Sequence, residues 1–326
     1  MCTSLTFETT DGLHFLARTM DYAFELGGRP VFLPRGYRWE SATKEAEFVN
    51  QYAFLGTGRQ LGTYFFADGL NEFGLSVAAL YFPREAQYQN PDSSKKNLAP
   101  HELVSVLLGN CRNLEEVQAE LDSIRLVNFE TPLINVVPPL HWIVTDASGR
   151  CCVIEPTGEK LTLQDNPVEV MTNAPELQWH IKNLNNYVTL QTEAYGNKQF
   201  MGVTAHAFGQ GTGTVQLPGG YTPPQRFVRT AFLKENIEQP TGEMAGVNAI
   251  THILHNVEIP RGVNIKEGVP DYTQYIGIMG VTSKKYYFIP YHNQSVFQIE
   301  LSDELLQQTE PVEYPFVNDQ QVVKLN

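Results

Sequence analysis

The chain begins with a β-hairpin signature. Met1-Cys2-Thr3-Ser4-Leu5-Thr6-Phe7 reads as a short alternating strand, Thr10-Asp11-Gly12 is an Asp-Gly turn of the kind that closes hairpins, and a second run, Leu16-Ala17-Arg18-Thr19-Met20-Asp21-Tyr22, follows. A sheet is therefore expected at the start of the fold, with Cys2 at the head of its first strand. Arg18 and Asp21 lie on the strand that pairs with it.

Cys2 directly follows the initiator methionine. Loss of Met1 would leave a thiol and a free α-amine on one residue, a nucleophile with its own base. An α-amine titrates at about 7.7–8.0 and a thiol at about 8.5, whereas a lysine amine, at about 10.4, would need a large shift to serve as base near neutrality. Position alone favours the ordinary reading, a small buried hydrophobe. Arg18 and Asp21 alter the balance: a guanidinium beside a thiol favours thiolate, and a carboxylate beside an α-amine orients it and stabilises its protonated form.

A chain of 326 residues can bury a large core, about three quarters of its unfolded surface. No Pro/Gly/Ser-rich linker or charge run divides it, and strand-like segments occur at both ends, so one domain spanning 1–326 is expected. The 42% apolar and 18% charged content suits a globular protein. The formal charge of −13 opposes binding to nucleic acid or to anionic membranes, so an anionic substrate would need local arginines. No apolar run is long enough to span a membrane, and only Met1 precedes Cys2, which excludes a lipid-anchored cysteine; a cytoplasmic protein is expected. The cysteines at 2, 111, 151 and 152 form no C-x-x-C framework, and adjacent Cys151 and Cys152 should face opposite sides of a strand and serve packing. The sequon Asn293-Gln294-Ser295 reads as a chance match.

Further strands are expected at 51–56, 75–82, 140–145, 151–155, 168–172, 285–291 and 295–301, several of them in hairpins. Helical spacing appears at 100–108, at 113–124 behind an apparent capping box, and at 174–187, 224–236 and 242–256. Hairpins with helices inserted between them predict an α+β fold with mostly antiparallel sheets and helices outside.

The remaining motifs carry less. Gly209-Gln210-Gly211-Thr212-Gly213 lacks the Lys-Ser/Thr and the helix of a phosphate cradle and reads as a loop. His252 and His255 are three apart without the intervening glutamate of a zincin, so no metal site is expected. Asn173, in Met171-Thr172-Asn173-Ala174-Pro175, suits a helix cap and an oxyanion donor equally. Tyr81 reads as a strand aromatic. Arg226 stands at a helix start, where a cation is mildly disfavoured, which hints that something else holds it there.

Taken together, Met1-Cys2-Thr3-Ser4, Ala17-Arg18-Thr19-Met20-Asp21, Met171-Thr172-Asn173-Ala174-Pro175 and Thr222-Pro223-Pro224-Gln225-Arg226-Phe227 resemble the choloylglycine hydrolase family of penicillin V acylases and conjugated bile salt hydrolases. Asp68-Gly69-Leu70-Asn71-Glu72-Phe73-Gly74-Leu75, Pro139-Leu140-His141-Trp142 and Phe208-Gly209-Gln210-Gly211 extend the resemblance over nearly the whole chain. It implies a four-layer αββα sandwich of the N-terminal nucleophile hydrolase type. It also implies Cys2 as nucleophile after loss of Met1, Arg18 and Asp21 positioning and polarising it, Arg226 supporting the cluster, and Asn173 with the Tyr81 N–H as oxyanion donors. No cofactor or metal is implied, and a homo-oligomer, often a tetramer in the family, is.

The substrate implied is a small-molecule acyl amide. Tyr81 stands where bile salt hydrolases of the family usually carry asparagine and penicillin V acylases tyrosine, so the resemblance leans to penicillin V, with conjugated bile salts or an acyl-homoserine lactone as alternatives. The aromatics Tyr22, Phe24, Tyr64, Phe65 and Phe66 suit an aryl acyl group or simple packing. Two departures from the family pattern, Tyr275-Ile276-Gly277-Ile278-Met279-Gly280 and Gly220, leave local packing open.

Overall fold

The computed structural model describes residues 1–131 and 135–326. The first hairpin forms as expected, from Cys2–Glu8 and His14–Tyr22, in a register that sets Cys2 opposite Met20 and Ser4 opposite Arg18. It lies inside a six-stranded sheet in the order Val170–Met171, Cys2–Glu8, His14–Tyr22, Tyr272–Gly280, Lys285–Pro290, Phe297–Glu300. All pairings in this sheet are antiparallel.

A second, eight-stranded sheet runs Leu163–Asp165, Cys151–Ile154, Leu140–Thr145, Ser76–Tyr81, Thr63–Asn71, Phe54–Leu61, Arg29–Leu33, Val312–Glu313. The sheets face one another through Cys2–Glu8 and His14–Tyr22 against Ser76–Tyr81, and Tyr272–Gly280 against Thr63–Asn71. Helices Pro223–Asn236 and Glu243–His255 cover the outer face of the six-stranded sheet, and Leu103–Asn110 with Leu114–Ser123 covers that of the eight-stranded sheet. The result is the αββα sandwich of an α+β protein.

A sheet in the middle of such a sandwich is covered on both faces, so polar residues of the first strand are buried with the apolar ones and need partners. Ser4 Oγ donates to the Ala17 carbonyl at 2.7 Å, and Thr6 Oγ1 to Glu169 Oε2 at 3.2 Å. Cys151 and Cys152 do face opposite ways, one into each apolar cluster of the molecule. Burial pushes the Cys152 thiol up to about 11 and the Cys111 thiol up to about 12.

Several local expectations shift. Asn113 caps Leu114–Ser123 by accepting the Glu116 N–H at 2.9 Å, but Glu116 turns to the Arg112 N–H and guanidinium, so the reciprocal half of a capping box is absent. The helix expected from 174 begins at Leu177. The strand Thr63–Asn71 and the exposed hairpin of Lys198–Phe200 with Val203–Ala205 were not expected from the sequence pattern. Asn293 is buried and its amide donates to the Val317 carbonyl at 2.8 Å, which closes the sequon to modification.

Candidate active site

The hairpin register sets Arg18 opposite Ser4, on the same face as Cys2 and diagonal to it. Arg18 Nη2 lies 3.0 Å from Cys2 Sγ, Nη1 lies 3.0 Å from Asp68 Oδ2, and Nε donates to its neighbour Thr19's carbonyl at 2.9 Å. Arg18 and Asp68 are fully buried. Such a pair persists only where the remaining donors and acceptors are filled. Tyr275 OH donates to Asp68 Oδ2 at 2.6 Å and Tyr286 OH to Oδ1. Burial opposes the guanidinium's charge, but Cys2, Tyr275 and Asp68 outweigh it and hold the proton more firmly than water would. The same burial, reinforced by Asp68, drives both tyrosine hydroxyls well above their usual range, so they remain donors.

Asp21 continues the second strand and is fully buried. Its carboxylate accepts Thr273 Oγ1 at 2.6 Å and Thr19 Oγ1 at 3.3 Å, while the Met1 ammonium donates to the Asp21 carbonyl at 2.7 Å and lies 3.8 Å from Asp271 Oδ2. Burial raises the Asp21 pKa, against the opposing pull of Arg226 and the N-terminal ammonium.

Arg226 explains its own unfavourable place at a helix start. It is fully buried and donates from Nε to the Tyr221 carbonyl (2.9 Å), from Nη1 to the Cys2 carbonyl and Thr3 Oγ1 (2.6 Å), and from Nη2 to Asn173 Oδ1 (2.6 Å). Nearby, a Cβ on Gly220 would come within 2.2 Å of Gln225 Oε1, so a larger residue there would have to displace that side chain. That glutamine folds back to accept from Thr222 Oγ1 at 2.9 Å.

Asn173 is not a helix cap. The Leu177 N–H is instead satisfied by the Glu155 carboxylate at 3.1 Å, which leaves the Asn173 amide free to face Cys2. Its Oδ1 accepts the Cys2 N–H at 2.9 Å, and its Nδ2 donates one proton to the Tyr81 carbonyl at 2.6 Å. An amide nitrogen has two protons, so the second remains available. Phe82 N–H donates to the Pro139 carbonyl at 2.7 Å. Alternation along an antiparallel ladder therefore turns the Tyr81 N–H away from the strand Leu140–Thr145, on the side where pairing with Thr63–Asn71 has ended at Ala78.

Cys2 lies in the wall of an apolar cavity of about 160 Å³, with Met20, Tyr22, Leu26, Phe65, Phe66, Ala79, Tyr81, Leu140 and Tyr275 among its neighbours. Tyr22, Phe65 and Phe66 line it as the sequence suggested. Tyr64 is spent on the core and on Glu313 Oε1 (2.9 Å), and Phe24 is part-exposed, edge-on to Tyr22. Tyr22 also meets Tyr81 edge-on at 6.4 Å, and burial pushes its hydroxyl up to about 12.

Thus Cys2, Arg18, Asn173 and Arg226 are joined by hydrogen bonds, Tyr81 joins through its backbone carbonyl, and Asp21 stands beside them, its carboxylate held by Thr19 and Thr273 and its backbone by Met1. Asp68, Thr3, Thr273, Tyr275 and Tyr286 belong to the same cluster but carry no local signal. Asp68 stands in one of the resembling fragments, yet only the packing of one sheet on the other brings it under Arg18.

A four-layer αββα sandwich with a cysteine heading a central hairpin is the fold of N-terminal nucleophile hydrolases. Residues 2–314 match the linear amide C–N hydrolases, choloylglycine hydrolase family. The chain is 35% identical over 321 residues to a bile salt hydrolase/transferase of Clostridium perfringens, with 97% of each chain covered, and 32% identical over 328 residues to one of Lactiplantibacillus plantarum, with both covered completely. The crystal structure of a mutant conjugated bile acid hydrolase from Clostridium perfringens matches with a TM-score of 0.92 at 33% identity over 100% of both chains. Penicillin V acylase from Agrobacterium tumefaciens, with a TM-score of 0.73 at 20% identity over 93% of this chain and 87% of its own, shares the fold. The chain belongs to the choloylglycine hydrolase family and is a linear amide hydrolase.

Proposed function

We propose that this enzyme cleaves conjugated bile salts by acyl transfer through Cys2, after removal of Met1. The observation that carries the mechanism is the Arg18 guanidinium 3.0 Å from Cys2 Sγ, at the wall of an apolar cavity that also meets Tyr81. Cys2 thiolate attacks the amide carbonyl carbon. The oxyanion takes the free proton of Asn173 Nδ2 and the Tyr81 N–H. Collapse breaks the C–N bond, and the amine leaves with a proton from the Cys2 α-ammonium. The α-amine then takes a proton from water, whose oxygen attacks the thioester, and the acid leaves as the thiolate re-forms. Asn173 Oδ1, now 2.9 Å from the Cys2 nitrogen, orients that amine, and Asp21 and Arg226 hold the surrounding strand ends.

The substrate choice rests on relatives named bile salt hydrolase/transferase that align end to end with this chain, against a penicillin V acylase at 20% identity. This favours the bile-salt alternative over the penicillin V expectation. Tyr81 is the observation that supports the second reading, because its ring lines the cavity beside Tyr22 and suits an aryl acyl group. Side-by-side turnover of glycocholate and penicillin V, by wild type and Cys2→Ala, decides between them. Preferential glycocholate cleavage that vanishes in the variant supports the proposal. Preferential penicillin V cleavage overturns the substrate while keeping the chemistry.

We further read residues 1–326 as one amidohydrolase domain acting in the cytoplasm; among the described residues no helix is long and apolar enough to cross a membrane. The exposed hairpin around Phe200, Met201 and Val203, with exposed Phe208 beyond it, supports a homo-oligomer, testable by light scattering.

A further inference from the structure

Two buried histidines stand behind the Asn173 segment, and the mechanism above does not use them. His141 Nε2 lies 3.0 Å from the Thr172 carbonyl oxygen, and His180 Nε2 lies 2.9 Å from the Asn173 carbonyl oxygen. Carbonyl oxygens only accept, so both Nε2 atoms must carry protons. Each ring also stacks on a phenylalanine that directly follows another residue of the site. His141 lies on Phe82, next to Tyr81, at 4.1 Å and 11°, and His180 lies on Phe227, next to Arg226, at 4.7 Å and 14°.

His141 has a second partner: with Nε2 donating to Thr172, its Nδ1 faces Glu155 Oε1 at 3.3 Å. Glu155 also accepts the Leu177 N–H, so the same carboxylate anchors the far side of the Asn173 turn. His180 needs no such partner: burial lowers its pKa, which suits a neutral ring protonated at Nε2.

We propose that His141 and His180 are positioning residues for acyl transfer: each clamps one carbonyl of Thr172-Asn173 and, through its stacked phenylalanine, ties that segment to Tyr81 or to Arg226. Both oxyanion donors and the arginine that orients Asn173 are thereby held in one register, though they come from three separate parts of the chain. This rests on the reading of Asn173 and Tyr81 as oxyanion donors.

The test compares His141→Phe, His180→Phe, the corresponding glutamine variants and Asn173→Ala. Phenylalanine keeps a ring for the stack and cannot donate; glutamine places an amide N–H near the position of Nε2. The readouts are kcat and KM for whichever amide the wild type turns over, and the rate of Cys2 alkylation by iodoacetamide, a displacement that develops no oxyanion. The expected result is a fall in kcat of about 10- to 100-fold in the phenylalanine variants, with KM and alkylation little changed and kcat partly restored by glutamine. Wild-type kcat in both phenylalanine variants, while Asn173→Ala loses turnover, overturns the inference. So does a parallel loss of turnover and alkylation. Full turnover in Asn173→Ala overturns the oxyanion reading beneath it. If phenylalanine prevents folding, nitrogen NMR of the wild-type imidazoles decides: protonated Nε2 on both rings supports the clamp, and an unprotonated Nε2 on either sinks it.

Discussion

Arg226 determines which way Asn173 faces. Its Nη2 donates to Asn173 Oδ1 at 2.6 Å, and the Cys2 N–H donates to the same atom at 2.9 Å. Two donors on one atom identify it as the oxygen, so the amide nitrogen must point to the Tyr81 side, where it meets the Tyr81 carbonyl at 2.6 Å.

Under the proposed mechanism, Asn173→Ala removes one oxyanion donor, and with it the acceptor for Arg226. Steady-state kinetics on the preferred amide should show kcat lowered by about 10²- to 10³-fold, the range for loss of one such donor. A loss below tenfold would mean that the amide serves the fold rather than the reaction.

Asp68→Asn leaves Arg18 buried without its counter-charge. Breaking a buried pair from one side costs about 3–5 kcal/mol, and urea unfolding should register most of it. The variant should also slow Cys2 alkylation, because Arg18 loses the anchor that holds it 3.0 Å from the sulfur. Unchanged stability would show that water or a rearranged Tyr275 replaces the carboxylate.

His101 is buried against Phe65, and among the described residues neither ring nitrogen has a hydrogen-bond partner. Burial lowers its pKa to about 4, below the value of an unfolded chain. Between the two values the unfolded state binds the extra proton, so this group's contribution to stability is present above about pH 6.5 and is lost as pH falls through that window. A shift of that size corresponds to roughly 3 kcal/mol. His101→Phe should flatten the pH dependence of the unfolding free energy between pH 6.5 and 4, and should not destabilise at pH 7, since it removes two unpaired polar atoms. A slope identical to wild type would assign the acid sensitivity to other groups.

Gly277 lies where the sequence departs from the family pattern. A Cβ there would come within 2.7 Å of the Tyr286 hydroxyl and 3.5 Å of Asp68 Oδ1. Gly277→Ala should therefore cost about 1–3 kcal/mol by overpacking and lower turnover by disturbing the carboxylate beneath Arg18. A thermal melt and an assay on one preparation check both, and a silent substitution would show that Tyr286 can move without consequence.

The legible part of this protein was its hairpin and its order of motifs. Cys2, Arg18 and Asp21 lie within one Asp-Gly hairpin, so local alternation and turn chemistry were enough to place them together. Arg226 left a local trace as well, as a cation at the wrong end of a helix. Asn173 did not: a cap and the proposed oxyanion donor use the same side chain, and only Glu155, by taking the N–H of Leu177, 22 residues further along the chain, released it from the cap. Asp68 and its tyrosines were invisible because the Arg18–Asp68 pair joins two sheets, and the residues between them contain no pattern for that contact.

By itself, then, the sequence determined the strand that Cys2 heads, the α+β character and, through ordered fragments, the family. The hydrophobic periods and turn residues that carry this information act over a few positions. Tertiary structure decided the charge arrangement beneath Cys2, the facing of the Asn173 amide and the two histidine clamps. Those depend on which buried donor meets which acceptor once both faces of a central sheet are covered, and that pairing is set by the packing of layers rather than by neighbours along the chain.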